Sequence, residues 1–213
     1  MSGEFDKWSG NGGLGVIRAA LLAHTPVVHE ADPTLREAAV AMALRSGPSG
    51  DLEVLFIKRC EHPADPWSGQ MAFPGGRRES DDESLEAAAR RETLEEVGLL
   101  LREESCMGRL STLYGGRLTG QNISVTPFVY HAEEVGELTH NYEVADTVWI
   151  PLSFLAQPDN VRDYFFPSDP VRRAFPSFQY GPYTIWGLTF RIIADFMAIM
   201  GVELPVEPTP RQA

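Results

Sequence analysis

With 213 residues, 43% of them hydrophobic, the chain is long enough to bury one sizeable core, and one domain with extensions is expected. Its net charge of −12 argues against a nucleic-acid backbone or an anionic membrane surface as partner. An acidic chain can still bind polyphosphates where a metal ion inverts the local charge. The two cysteines, Cys60 and Cys106, form no disulfide framework, so a reduced, cytoplasmic chain is expected.

Residues 1–13 are rich in Gly, Ser and charge and are expected to fray. Val16, Ala19, Ala20 and Ala23 predict a short helix before Thr25-Pro26. The apolar run Leu14–Ala23 is broken by Arg18 and lacks a basic leader and a small-residue cleavage site, so it does not read as a signal peptide. Asp32-Pro33-Thr34 predicts a second helix through about Leu44, with Asp32 as N-cap and Pro33 at the first helical position. After a turn at Ser46–Gly50, the segment Asp51–Arg59 reads as a buried strand around Val54-Leu55-Phe56-Ile57.

The next stretch organises the chain. A turn at Phe73-Pro74-Gly75-Gly76 leads into an acidic, alanine-rich helix that closes on Arg91-Glu92-Thr93-Leu94-Glu95-Glu96-Val97-Gly98-Leu99. At about 100° per residue, Glu92, Glu95 and Glu96 share one narrow arc of the helix. Like charges at i and i+4 cost a helix roughly 0.2–0.5 kcal/mol, so Glu92 and Glu96 are not paired for local stability. A hard divalent cation would relieve their repulsion, since Mg²⁺ takes carboxylate oxygens together with substrate phosphates. The competing reading is a solvated face in which Arg91 and Glu95 form an ordinary i,i+4 pair.

The glycine pair and the run Arg91–Leu99 resemble the Nudix box, G-x5-E-x7-R-E-U-x-E-E-x-G-U with U an aliphatic residue. Two positions depart from it. Counting back from Arg91 places Glu83 at the first acidic position, whereas counting forward from Gly76 reaches Asp82, so one residue is extra. Thr93 stands where an aliphatic residue is usual. In a continuous helix Glu83 would face away from Glu92 and Glu96. The upstream stretch resembles the coenzyme A diphosphatase branch of that family, whose motif is L-L-T-x-R-S-x3-R-x3-G-x3-F-P-G-G. Leu55, Arg59, Gly69 and Phe73–Gly76 match. Ile57, Cys60 and Asp65 replace its threonine, serine and second arginine, and Asp65–Gly69 also reads as a plain turn.

Farther along, Cys106–Tyr114 and Ile123–Tyr130 read as strands joined by a glycine-rich loop, and Thr126-Pro127 suggests a sheet edge or a bulge. Val144–Ile150 is another strand, with Glu143 just ahead of it. Residues 157–184 are rich in proline and aromatics and read as a hydrophobic plug, a homodimer surface, or a lid that stacks on a base. Trp186–Met200 is an amphipathic helix, with Ile192, Ile193, Phe196, Ile199 and Met200 on one side.

The resemblance implies an α/β fold, the Nudix α/β/α sandwich with a mixed sheet and extra N- and C-terminal helices. Residues 1–50 would be a helical extension packed on the core, 51–200 the hydrolase domain and 201–213 a tail. It implies a metal-dependent hydrolase of the diphosphate bond in a nucleoside diphosphate derivative. Coenzyme A or its thioesters are favoured over ADP-ribose, nucleotide sugars or dinucleotides. A non-catalytic nucleotide-binding module would be expected to have lost Glu92, Glu95 or Glu96. Mg²⁺ or Mn²⁺ would be held by Gly76, Glu92, Glu95 and Glu96. Arg91, Glu95 and Glu143 would be catalytic, and Arg59, Phe73 and Gly75 would bind substrate.

Overall fold

The computed structural model describes residues 6–27, 35–62, 67–115, 122–167, 169 and 172–206. Its first helix, α1, spans Gly10–Ala23, where a short helix is expected, but the face it buries carries Leu14, Ile17 and Leu21, while Val16, Ala19 and Ala23 are exposed. The expected fraying does not extend to residue 8: Asp6–Trp8 forms a 3-10 turn and Trp8 is 2% exposed. The proposed cap at Asp32 and Pro33 lies outside the described residues.

The second predicted helix is a strand. β1, Arg36–Ser46, carries the helix-favouring sequence REAAVAMALRS but runs through the middle of the main sheet. Ala39, Ala41 and Ala43 face one side and Ala38, Met42 and Leu44 the other, each within a separate buried cluster. A strand covered on both faces shows no apolar–polar alternation, and tertiary packing overrides the alanine preference for helix.

β1 is flanked by β2 (Leu52–Arg59), antiparallel, and by β7 (Ile123–His131), parallel, so the sheet is mixed. β3 (Met71–Ala72) and β8 (Val144–Pro151) both pair with β2, and β4 (Gly75–Arg77) pairs with β1. β5 (Cys106–Arg109) and β6 (Leu113–Gly115) pair with β7 in succession, where one strand was expected. Pro127 is central, not at an edge. It has no N–H to give, and it stands where β5 ends and β6 has not begun, its carbonyl accepting from Leu110 N. Gly116 to Gly120 of the expected loop lie outside the described residues.

Helix α2, Leu85–Val97, covers the alanine face of β1. The methyl side chains let the helix approach closely. We therefore expect Ala41→Leu, at a fully buried position on this face, to cost about 1–3 kcal/mol by overpacking. A lower urea midpoint with an unchanged slope would register it, and an unchanged midpoint would show that the layer has slack. The opposite face carries α1 and α4 (Gly187–Ile199), whose Phe190, Ile193, Phe196 and Met197 are buried, completing the α/β/α sandwich. A one-turn helix, α3 (Leu152–Leu155), follows β8.

The aromatic segment is a second, three-stranded antiparallel sheet of β9 (Val161–Phe165), β10 (Ala174–Tyr180) and β11 (Tyr183–Trp186). β11 runs directly into α4 and also contacts β3, so this sheet stands beside the turn that precedes α2. Val202 and Leu204 of the expected tail pack on the core.

Candidate active site

The turn into β4 needs glycine at position 75. Gly75 has φ 146°, and a Cβ there would stand 2.3 Å from Ala39 O, inside the adjacent strand. A Cβ on Gly76 would meet the Glu92 carboxylate at 2.4 Å. The glycines thus bring backbone against α2 at the position of its acidic arc.

The helix is cut to length by its caps. Ser84 accepts from Ala87 N at 3.0 Å, and Gly98 closes the helix in the left-handed region with φ 69°. Thr93 is fully buried because its hydroxyl returns to Ala89 O at 2.7 Å, so the polar side chain fits a packed position. Glu96 is 2% exposed and accepts from Gly75 N at 2.8 Å. Burial pushes its pKa up to about 8, against the Gly75 bond and with repulsion from Glu92 and Glu143. Burial also raises Glu92, opposed by Arg91 and reinforced by Glu95 and Glu143.

Arg91 holds the loop to the helix. Its guanidinium grips Asp82 through Nε and Nη2, both at 2.9 Å, and donates to Arg77 O at 3.2 Å. Its Nη1 lies 3.1 Å from Glu92 Oε1 and 3.3 Å from Glu95 Oε2. The fork holds the Asp82 carboxyl below the usual range and raises Arg91.

Glu143 is brought in by the loop that follows β7. Thr139 N donates to Val97 O and Asn141 N to Glu96 O, pinning the loop to the end of α2. Asn141 Oδ1 then takes Glu143 N at 2.8 Å. Glu92 and Glu143 line one cleft of about 1090 Å³ together with Arg59, Gly75 and Gly76.

The NUDIX domain profile matches residues 35–167, more than half of the chain. The chain belongs to the Nudix family. The human mitochondrial coenzyme A diphosphatase NUDT8 is 31% identical over 147 residues, which cover 67% of this chain and 60% of the human one. The chain thus spans three-fifths of that relative's length. An uncharacterised Nudix hydrolase, NudL of Enterobacter sp., is 33% identical over 182 residues, covering 79% of this chain and 84% of its own. A MutT/nudix family protein from Enterococcus faecalis superposes with a TM-score of 0.55 at 16% identity, covering 92% of this chain and 72% of that one, which shows a shared fold.

Within the Nudix box, the extra residue lies between Asp82 and Arg91. Asp82 is 8% exposed and takes the Arg91 fork, while Glu83 is exposed, so the count forward from Gly76 names the acidic residue that Arg91 engages. Of the other sequence candidates, Phe73 is 2% exposed and stacked on Phe56 at 4.8 Å, so its main contacts are with the core beneath the cleft. Arg59 ends β2 at a register shift and faces the cleft. Glu95 is half exposed and engaged by Arg91. Asn141 was not singled out by its sequence, since an Asn two residues before a Glu carries no pattern. Asp65 and Pro66 lie outside the described residues.

The donors fit a hard divalent cation. Glu92 and Glu96 are desolvated carboxylates whose negative charges oppose one another, and Gly76 leaves room for Glu92 against its backbone. Among the described residues, no three acidic, imidazole or thiolate groups converge as a ready cage, so a backbone carbonyl such as that of Gly76 would complete the set. No helix among them is long and apolar enough to cross a membrane.

Proposed function

We propose that the protein is a metal-dependent hydrolase of the diphosphate bond in nucleoside diphosphate derivatives, with coenzyme A as preferred substrate. The observation that carries this reading is the Nudix box itself. Arg91, Glu92, Glu95 and Glu96 are all retained, and the Gly75-Gly76 turn packs against Glu92 and Glu96 beside a cleft of about 1090 Å³. A cleft of that size suits an extended substrate with groups on both sides of its diphosphate. The Phe73–Gly76 motif and the coenzyme A diphosphatase among its relatives support the choice of substrate.

Mg²⁺ or Mn²⁺, held by Glu92, Glu96 and the Gly76 carbonyl, would neutralise the phosphoryl oxygens and make a bound water acidic enough to act. Arg91 keeps Glu92 and the Asp82 loop in register with the turn. Glu143 accepts the proton of the attacking water, and the new P–O bond forms as the anhydride P–O bond breaks. Arg59, beside Glu96, contributes positive charge to the diphosphate.

With Mg²⁺ or Mn²⁺ present, coenzyme A is expected to yield 3′,5′-ADP and 4′-phosphopantetheine, identified by mass. Faster turnover of ADP-ribose or dinucleoside polyphosphates would reassign the substrate. No hydrolysis of any diphosphate would leave a nucleotide-binding module.

A further inference from the structure

The cleft has a second wall that the carboxylates do not use. Trp186, the last residue of β11, stands 4.8 Å from the ring of Tyr164, 4.9 Å from Phe166 and 5.5 Å from Phe175. Phe166, Phe175 and Trp186 line the same cleft as Glu92 and Glu143. This sheet is tied to the chemistry, because Thr189 at the start of α4 donates to Met71 O at 3.0 Å, just before the Phe73–Gly76 turn.

Arg173 lies on this wall and is held firmly. Its Nε and Nη2 stand 3.1 and 2.9 Å from the Asp169 carboxylate, and its backbone N donates to Asp169 Oδ2 at 2.8 Å. The Phe175 ring centre lies 5.5 Å from the guanidinium. Asp169 is 2% exposed, so a buried carboxylate fixes the position of the Arg173 guanidinium. The preceding residue, Arg172, has φ 53°, which a residue with a side chain adopts only where its surroundings enforce it. Nη1 of Arg173 makes no hydrogen bond to any described residue, and Arg173 lines the cleft.

We propose that this wall is the subsite for the adenosine end of coenzyme A, with adenine against the Phe166, Phe175 and Trp186 rings and the ribose 3′-phosphate on Arg173. The inference rests on the coenzyme A reading and adds which end of the substrate lies where. Aromatic faces reward a planar base and offer little to a flexible pantetheine arm. A guanidinium matches phosphate geometry through paired N–H groups. In a chain of net charge −12, an aimed arginine in the cleft is a natural seat for a dianion.

The test compares kcat/KM for coenzyme A and for dephospho-coenzyme A, which lacks only that phosphate. The wild type is expected to favour coenzyme A by about tenfold or more, the scale of a charge-assisted phosphate contact. Arg173→Gln should bring the ratio near one, and Arg173→Lys should restore part of it. An equal loss on both substrates would make Arg173 a structural residue and overturn the inference. A margin for NADPH over NADH in place of the coenzyme A margin would move the phosphate to the 2′ position and overturn it too. Binding of 3′,5′-ADP and 5′-AMP to the wild type, by calorimetry, decides the matter even if Arg173→Gln fails to fold. Tighter binding of 3′,5′-ADP by about tenfold is expected. Equal binding would remove the subsite and leave the hydrolase reading standing, whereas that preference with coenzyme A left uncleaved would keep the subsite and sink the substrate.

Discussion

Glu96→Gln is expected to lower turnover by about 10³-fold or more, since it removes a charged metal donor at the centre of the site. It should do so while stabilising the metal-free protein. Glu96 is 2% exposed and burial raises its pKa from 4.5 to about 8. Between those values the folded chain keeps a proton that the unfolded chain has released, so metal-free stability falls as pH rises through the window. An amide has no such proton and can still accept from Gly75 N. In EDTA near pH 8.5 the variant should therefore exceed wild type by about 1 kcal/mol or more, roughly 2–4 °C in Tm for a chain of this size. Near pH 4, below the unfolded value, the difference should vanish. Mg²⁺ or Mn²⁺ should reverse the order, because wild type gains a ligand-linked stabilisation that the variant has lost. Thermal unfolding at the two pH values, with metal and with EDTA, reads all of this. Full activity in the variant, with either metal, would sink the assignment of Glu96.

The parts of this site legible in the sequence are those set by local rules. The Gly75-Gly76 turn, the cap at Gly98 and the acidic arc of α2 are fixed by steric need and by helical periodicity, and both act over a few residues. β1 was not legible, because its alanines signal helix and only the layers above and below it make the strand. Asp82 was one of two residues competing for the same box position. Its burial under Arg91 settles the choice, which no count of spacings could do. The small sheet β9–β11 was not legible either, because proline and aromatics in irregular order give neither a period of two nor one of 3.6. Arg173 had no signal at all, since its meaning depends on Asp169 and on the wall it shares with Trp186.

Glu143→Gln should lower kcat by about 10²–10⁴-fold, the usual contribution of a general base, while sparing Mn²⁺ affinity. The three glutamates of α2 differ in what they have left to offer. Glu96 is buried under Gly75, Glu92 stands against the Gly76 backbone and Arg91, and Glu95 is half exposed on Arg91. Two carboxylates that share a cation are poor proton acceptors, because the metal already takes their electron density. Glu143 comes from a different element, and its backbone N is held by Asn141 while its carbonyl accepts from Cys60 N at 2.7 Å. Its side chain interacts with the Tyr142 hydroxyl and lines the cleft that Glu92 also lines. Glu95→Gln is the matched comparison, since it removes one charge from the same neighbourhood. Loss of the Arg91 contact at a half-exposed position should cost far less turnover, as exposed ion pairs are weak. Turnover and Mn²⁺ affinity measured for both variants separate the roles. If Glu143→Gln is silent and Glu95→Gln loses turnover with metal binding unchanged, Glu95 is the base and Glu143 only lines the cleft.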